Sequence, residues 1–331
     1  MERFALAAAV VLGFALTAAL CSLFVPLRRV LERREQNQQP VQPEQPRPVP
    51  LRAPLWGGLC AAAGTVAAVG VGWLAACVGQ PELLGSEGRL MTRLLTALAG
   101  SLAFGAVGLA EDLARMRSPA ALGLRRDVRL LLEALAAAFV LLLLQAAGCL
   151  PRGLDVPGAG YVLLGSAVPF LWAVLMVVLA ECARIAERDE GTVCGAAFVA
   201  MLALMMAEAG LGVPGLAVLP AALAGALVAL LLWAFPPARL GVGCCGSLLA
   251  AGAIGCIPLS LDMTSLTVPL ALPFWAAGGL LAAQLLGAKR TGKPLRCWVK
   301  KHKMSPETVF LCSFALSAVG YVLALALLRW C

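Results

Sequence analysis

The chain has 331 residues, of which 61% are hydrophobic and only 13% charged, and its mean hydropathy is +0.90. A soluble domain of this length cannot hide so much apolar surface, so soluble enzymes and soluble binding modules are excluded and an integral membrane protein remains. The net charge of +8 would suit nucleic acid or an anionic lipid surface, but the basic residues fall between apolar segments, which favours membrane lipid and argues against nucleic acid.

The apolar mass is mostly Ala, Leu, Val and Gly. Small residues let helices approach closely, and the strict alternation of a membrane β-barrel is absent, so the fold class is an all-α integral membrane protein. With roughly 20 residues per crossing, the apolar runs predict about ten transmembrane helices near 4–25, 55–78, 91–110, 128–148, 161–181, 192–212, 215–234, 244–262, 264–287 and 308–328. They form a single polytopic domain over 1–331. The first run is too long, and wrongly flanked, for a cleaved signal peptide, and is read as a retained helix.

Lys and Arg orient these spans. The loops after the odd-numbered spans hold Arg28, Arg29, Arg33 and Arg34, then Arg115, Arg117, Arg125, Arg126 and Arg129, then Arg184 and Arg188, then Arg239, and finally a run from Lys289 to Lys303. The other side has Arg3, Arg89, Arg93, Arg152 and Arg329. The positive-inside rule therefore places the odd loops in the cytoplasm and both termini outside it. The first cytoplasmic loop, 26–54, is rich in Gln and Pro from Gln36 onward, which predicts extended or irregular backbone there. The last, 288–307, is basic. Pro269, Pro273 and Gly278-Gly279 predict a kink in the ninth span. Most of the twelve cysteines lie inside apolar runs without a CxxC pair, as small hydrophobes would.

Polar residues gather at the cytoplasmic ends of the spans. Six of the ten residues from 181 to 190 are charged, and Glu181, Arg184, Glu187 and Glu190 share one face if the fifth helix runs through them. Charge beside lipid is costly and marks a functional site. Glu111-Asp112 follows the third span, a glycine-rich helix entry from Gly243 to Leu248 follows the seventh, and the basic last loop holds the single histidine, His302. Acids from several helix ends beside a basic loop suit a divalent cation and a phosphorylated substrate, although helix-end charges and topology signals would look similar. Glu133 and Glu208, inside spans, are expected to pair across helices or to sit near an interface.

These elements, in this order, resemble the polyprenyl-phosphate sugar-1-phosphate transferases, and among them the bacterial phospho-N-acetylmuramoyl-pentapeptide transferases. Gln39-Pro-Val41 through Trp56-Gly57-Gly58 resembles that family's first cytoplasmic loop, and Glu111-Asp112 falls on its Asp-Asp pair. Gly123-Leu124, Arg129 and Glu133 stand where the family has Gly-Leu, a Lys and a Gln. Glu181, Arg184, Glu187 and Glu190-Gly191 fall on N-x-x-N-x-x-D-G-x-D-G, and Pro237-Ala-Arg239 through Cys244-Cys245-Gly246-Ser247-Leu248 on P-A-K…G-D-T-G-S-L. Leu272-Pro273-Phe274, Arg290-Thr-Gly-Lys293 and His302 resemble the ninth span and the loop after it.

The resemblance implies attack of undecaprenyl phosphate on a UDP-sugar, UMP release and Mg²⁺ as cofactor, at the cytoplasmic face of a bacterial inner membrane. It implies catalytic or substrate roles for Glu111, Asp112, Glu187, Glu190 and His302, and for Arg129, Glu181, Arg184, Gly246, Ser247 and Lys293. Glu190 and Cys244 take the metal positions. The departures are concentrated in that same site. Cys244 replaces the Asp of G-D-T-G-S, Glu181 and Arg184 replace two Asn, and Glu187 and Glu190 replace two Asp. Ala276 stands where an Asp is expected after the ninth span's proline, and the histidine cluster is cut to His302. A soft thiol and a fixed cation among the acids suit Mg²⁺ poorly. Arg184 is expected to pair with Glu181 and Glu187. Two readings stay open: a transferase with unusual ligands, or a non-catalytic homologue that binds lipid phosphate or acts as a scaffold in envelope synthesis. A second copy of the chain or a paralogous enzyme is a further candidate partner.

Overall fold

A computed structural model describes residues 2–38, 56–79, 88–117, 123–151, 153–156, 160–163, 165, 167–187, 191–212, 215–236, 238–286 and 305–328. Helices α1 (Glu2–Gln38), α2 (Gly57–Gly79), α3 (Gly88–Arg117) and α4 (Arg126–Ala146) lead to an antiparallel hairpin of β1 (Gly153–Val156) and β2 (Gly160–Leu163). There follow α5 (Ala167–Ala186), α6 (Thr192–Gly210), α7 (Val218–Ala234) and α8 (Gly243–Ser260). Two short turns, Thr264–Leu266 and Thr267–Leu270, then precede α9 (Leu272–Leu286) and α10 (Pro306–Leu328). Seven of these, α1, α2, α3, α5, α6, α8 and α10, are long and apolar enough to cross a membrane, and α7 is a shorter apolar helix. The fold is therefore an α-helical, multi-pass membrane type that carries one small hairpin.

The bundle is organised around α8. All 18 of its residues are buried, and it packs along α3 with α2, α5 and α6 around it. Its sequence, GCCGSLLAAGAIGCIPLS, explains this position. Side chains this small let backbones come together, and in lipid close packing rather than water exclusion drives helix association. A Cβ at Gly108 of α3 would overlap the Cys244 carbonyl, and one at Gly58 of α2 would overlap the Gly246 backbone. At the second seam, α1 against α7, a Cβ at Gly13 would strike the Ala222 carbonyl and one at Gly225 the Val10 carbonyl.

Helix starts at the Gly58 end are tied to one another. The first two amides of α2 would lack intrahelical partners; Gly57 N–H donates to the Gly241 carbonyl at 3.2 Å and Gly58 N–H to the Val242 carbonyl at 2.9 Å. Gly243, with φ of 73°, makes the left-handed turn that starts α8, a conformation that costs glycine least.

Three elements depart from the sequence expectations. α1 continues to Gln38, past the expected loop start at 26, because no proline intervenes between Pro26 and Pro40 and the stretch is rich in the helix formers Leu, Arg, Glu and Gln. Residues 161–163, expected to open the fifth span, are strand, and α5 instead runs from Ala167 through Ala186. The ninth span breaks at Ala271 rather than bending smoothly; its carbonyl accepts the amides of Phe274 and Trp275, while Trp275 Nε1 donates back to the Val268 carbonyl at 3.1 Å. Pro269 and Pro273 each remove a helical donor around that point.

Gly58→Ala tests the α2–α8 seam. Overpacking against backbone costs about 1–3 kcal/mol, so the thermal midpoint of the purified chain should fall, while Gly70→Ala, with nothing near its Cβ position, should leave it unchanged or raise it.

Candidate functional site: a buried acid–arginine cluster

The C-terminal end of α3, the N-terminal end of α4, the C-terminal end of α5 and the start of α8 meet at one end of the bundle. Their polar residues form one cluster. Glu111, Asp112, Arg129 and Glu133 are all buried, and Glu181 and Arg184 are half-buried.

Asp112 serves α8. Its two carboxylate oxygens accept the backbone N–H groups of Cys244 at 3.0 Å and Cys245 at 2.8 Å. An acid contributed by another helix thus caps the positive end of α8, the electrostatically favourable place for a carboxylate. Cys244 takes part through its main chain, and Ser247 Oγ donates to the Cys244 carbonyl at 3.1 Å. Gly246 is the close-approach point to α2.

The remaining acids are met by guanidinium groups. Arg115 donates to Glu111 at 2.6 Å and lies 3.8 Å from Asp112. Arg129 donates through Nε to Glu181 Oε1 at 2.8 Å, and stands 3.7 Å from Glu111 and 4.0 Å from Glu133. Arg184 donates to the other oxygen of Glu181 at 2.6 Å. Glu181 is therefore held between two arginines from different helices, and Arg129 stands among three carboxylates. Glu187 directly follows α5, its amide still bonded to the Ala183 carbonyl at 2.9 Å, and is an electrostatic neighbour of Asp112, Arg115 and Cys244. Thr192 Oγ1 donates to the Ala186 carbonyl at 2.9 Å and ties the start of α6 to the end of α5.

Of the residues singled out from sequence, Glu111, Asp112, Arg129, Glu181, Arg184, Glu187 and Cys244 come together here. Glu190, Lys293 and His302 lie outside the described residues, as do Arg188 and Asp189. The Arg184–Glu181 pair has the three-residue spacing read from the sequence. Two members were given other roles there: Arg115, counted as a topology signal, and Glu133, whose contact with Arg129 follows the i, i+4 rule. That spacing, and Glu111–Arg115 likewise, was the available signal.

Mg²⁺ needs near-octahedral oxygen ligands at about 2.0–2.1 Å. Among the described residues no three His, Cys, Asp or Glu side chains are placed to share an ion. Asp112 is committed to main-chain amides, Glu111 and Glu181 face arginines, and Cys244 offers sulfur. The described residues of the cluster do not fit a resident Mg²⁺.

Residues 94–262, just over half of the chain and spanning α3 to α8, match the family described as glycosyl transferase family 4. The chain belongs to glycosyl transferase family 4. Within the family it is 28% identical over 265 residues, 72% of each chain, to the phospho-N-acetylmuramoyl-pentapeptide-transferase of Mycobacterium tuberculosis. It is 34% identical to that of Desulforudis audaxviator over 170 residues, covering 48% of this chain and 50% of the relative. The Synechococcus protein of the same name is 32% identical over 63% of this chain and 55% of its own. The family match covers all four helix ends that build the cluster, so this member carries its buried arginine network within the shared part of the fold.

Asp112→Asn puts a donor against a helix N-terminus and removes the charge. It should cost about 1–3 kcal/mol, read as a lower thermal midpoint, whereas Cys244→Ala, which keeps the main-chain amide, should come much closer to the parent.

Proposed function

We propose that the chain is a multi-pass protein of the bacterial inner membrane that works in envelope-precursor synthesis on the plan of the phospho-N-acetylmuramoyl-pentapeptide transferases, and that it binds undecaprenyl phosphate without carrying out Mg²⁺-dependent transfer. In this reading about ten helical segments cross or enter the bilayer. Both termini face away from the cytoplasm and the acid–arginine cluster faces it, a reading that the Lys and Arg distribution supports. The relatives' names supply the transferred group, phospho-N-acetylmuramoyl-pentapeptide, and the family resemblance implies a UDP-linked donor and a polyprenyl phosphate acceptor.

One observation carries the loss of transfer. Glu181 is held by Arg129 and Arg184 where the family resemblance implies a neutral amide. Phosphoryl transfer depends on cationic stabilisation of charge that develops on the phosphoryl oxygens. Here the cations are already engaged by the protein's own acids. The basic run from Lys289 to Lys303, read from the sequence, favours an anionic headgroup and supports retained lipid-phosphate binding.

The test uses the full chain in detergent with UDP-N-acetylmuramoyl-pentapeptide, undecaprenyl phosphate and Mg²⁺, beside the mycobacterial relative. UMP release should be lower by on the order of 10³-fold or more, while undecaprenyl phosphate still shifts the thermal midpoint. UMP release comparable to the relative's would establish a working transferase instead. Absence of both turnover and lipid binding would leave a scaffold.

A further inference from the structure

We propose that Cys21 of α1 and Cys60 of α2 are a disulfide-forming pair, a modification site outside the acid–arginine cluster that a hydroperoxide closes and a dithiol reopens. The bridge ties α1 to the first turn of α2, the turn whose amides hold the entry to α8.

The register of the helix pair brings the two thiols together. α1 and α2 run antiparallel and pack closely. A Cβ at Gly72 would lie 2.9 Å from the Cβ of Ala9, and one at Gly64 would overlap Thr17 Oγ1 and stand 3.2 Å from the Thr17 main-chain nitrogen. Four residues on from Thr17 along α1 is Cys21, and four back from Gly64 along α2 is Cys60. Residues four apart share a helix face, so the cysteines face each other one turn from a contact that leaves no room for a methyl group. Beyond them the seam continues in the stack of Phe24 on Trp56, with ring centroids 5.7 Å apart and planes at 5°. The thiols of Cys21 and Cys60 are hydrogen-bonded to each other, and both are buried. A disulfide needs Cα atoms within about 7 Å, and facing positions on helices this close are the places that meet it. Cys194 of α6 is an electrostatic neighbour of Cys21, and Cys245 of α8 of Cys60; the hydrogen bond singles out Cys21 with Cys60.

Both cysteines are free thiols in this structure. With hydrogen peroxide, one sulfur attacks a peroxide oxygen, the O–O bond breaks, and the thiol proton leaves with the released hydroxide as water. The resulting sulfenic acid is attacked by the second sulfur; the S–S bond forms, the S–O bond breaks and a second water leaves. Two thiols lose two electrons and two protons, and the peroxide takes them up as two waters. A dithiol reverses the bridge by thiol–disulfide exchange.

The experiment uses the full chain, purified in detergent with a reductant that is then removed. Hydrogen peroxide is added to the folded chain and to the chain denatured in SDS, remaining thiols are alkylated, and peptide mapping without reduction identifies any bridge. The folded parent should lose two of its twelve alkylatable thiols, to a bridge between Cys21 and Cys60, and dithiothreitol should restore both. The bridge should form roughly tenfold or more faster in the folded chain than in SDS. The bridged parent should unfold at a temperature higher by roughly 2–6 °C. Cys21→Ala and Cys60→Ala should form no such bridge, and Cys312→Ala, at an exposed position on α10, should behave as the parent. If the first two variants fail to fold, the folded and denatured parent decide the matter alone. The proposal is overturned by a parent that keeps all its thiols, that joins Cys21 to Cys194 or Cys60 to Cys245, or that stops at a sulfenic or sulfinic acid. A bridge formed no faster in the folded chain than in SDS, or one that lowers the unfolding temperature, overturns it equally. None of these outcomes reads UMP release or lipid binding, so this proposal and the functional reading fail separately.

Discussion

A guanidinium among three carboxylates, inside a helix bundle built for lipid, is the constraint from which the rest of this structure follows. Charges taken out of water lose several kcal/mol of solvation each, and mutual attraction offsets that loss only where the geometry is close. Glu181 meets this condition through two arginines at 2.6 and 2.8 Å. Because its partners sit on α4 and α5 while Glu111 and Arg115 sit on α3, the cluster fixes how three helix ends are placed relative to one another. An ion pair of this kind contributes little net stability over an apolar core, but breaking it leaves a charge stranded. The cluster thus specifies one arrangement more than it stabilises the fold.

α8 supplies the second half of the arrangement. Its entry turn at Gly243 is fixed by Asp112 from α3 and by two amides from α2. Its small side chains let α2 and α3 approach until backbone meets backbone at Gly58 and Gly108. The same contacts that pack the bundle therefore carry Asp112 to a helix N-terminus and commit it there. An acid used in this way is a structural cap, and it is withdrawn from metal chemistry by the fold itself.

The helices were legible in the sequence because apolar runs of membrane length leave few alternatives, and the gathering of Glu111, Asp112, Glu181 and Glu187 was legible because each follows the same kind of span end. The partners within the cluster were less so. Arg184–Glu181 and Arg129–Glu133 lie within one helical turn and could be read from spacing. Arg129–Glu181 spans 52 residues of chain and Asp112–Cys245 spans 133, and no local pattern reports such contacts. The hairpin β1–β2 was missed because Tyr161, Val162 and Leu163 are as apolar as the helix expected there, and short apolar runs do not separate strand from helix. The break at Ala271 was anticipated as a bend; two prolines four residues apart end the helix and restart it.

Family membership and this ion network together describe a glycosyl transferase family 4 protein whose matched region holds a buried acid–arginine cluster. The most direct measurement is anomalous scattering from crystals of the parent chain grown or soaked in Mn²⁺. The account predicts guanidinium density between Glu111, Glu133 and Glu181, Asp112 on the amides of Cys244 and Cys245, and no anomalous peak at the cluster. A Mn²⁺ peak there, ligated by these carboxylates, with Arg129 displaced, would contradict it.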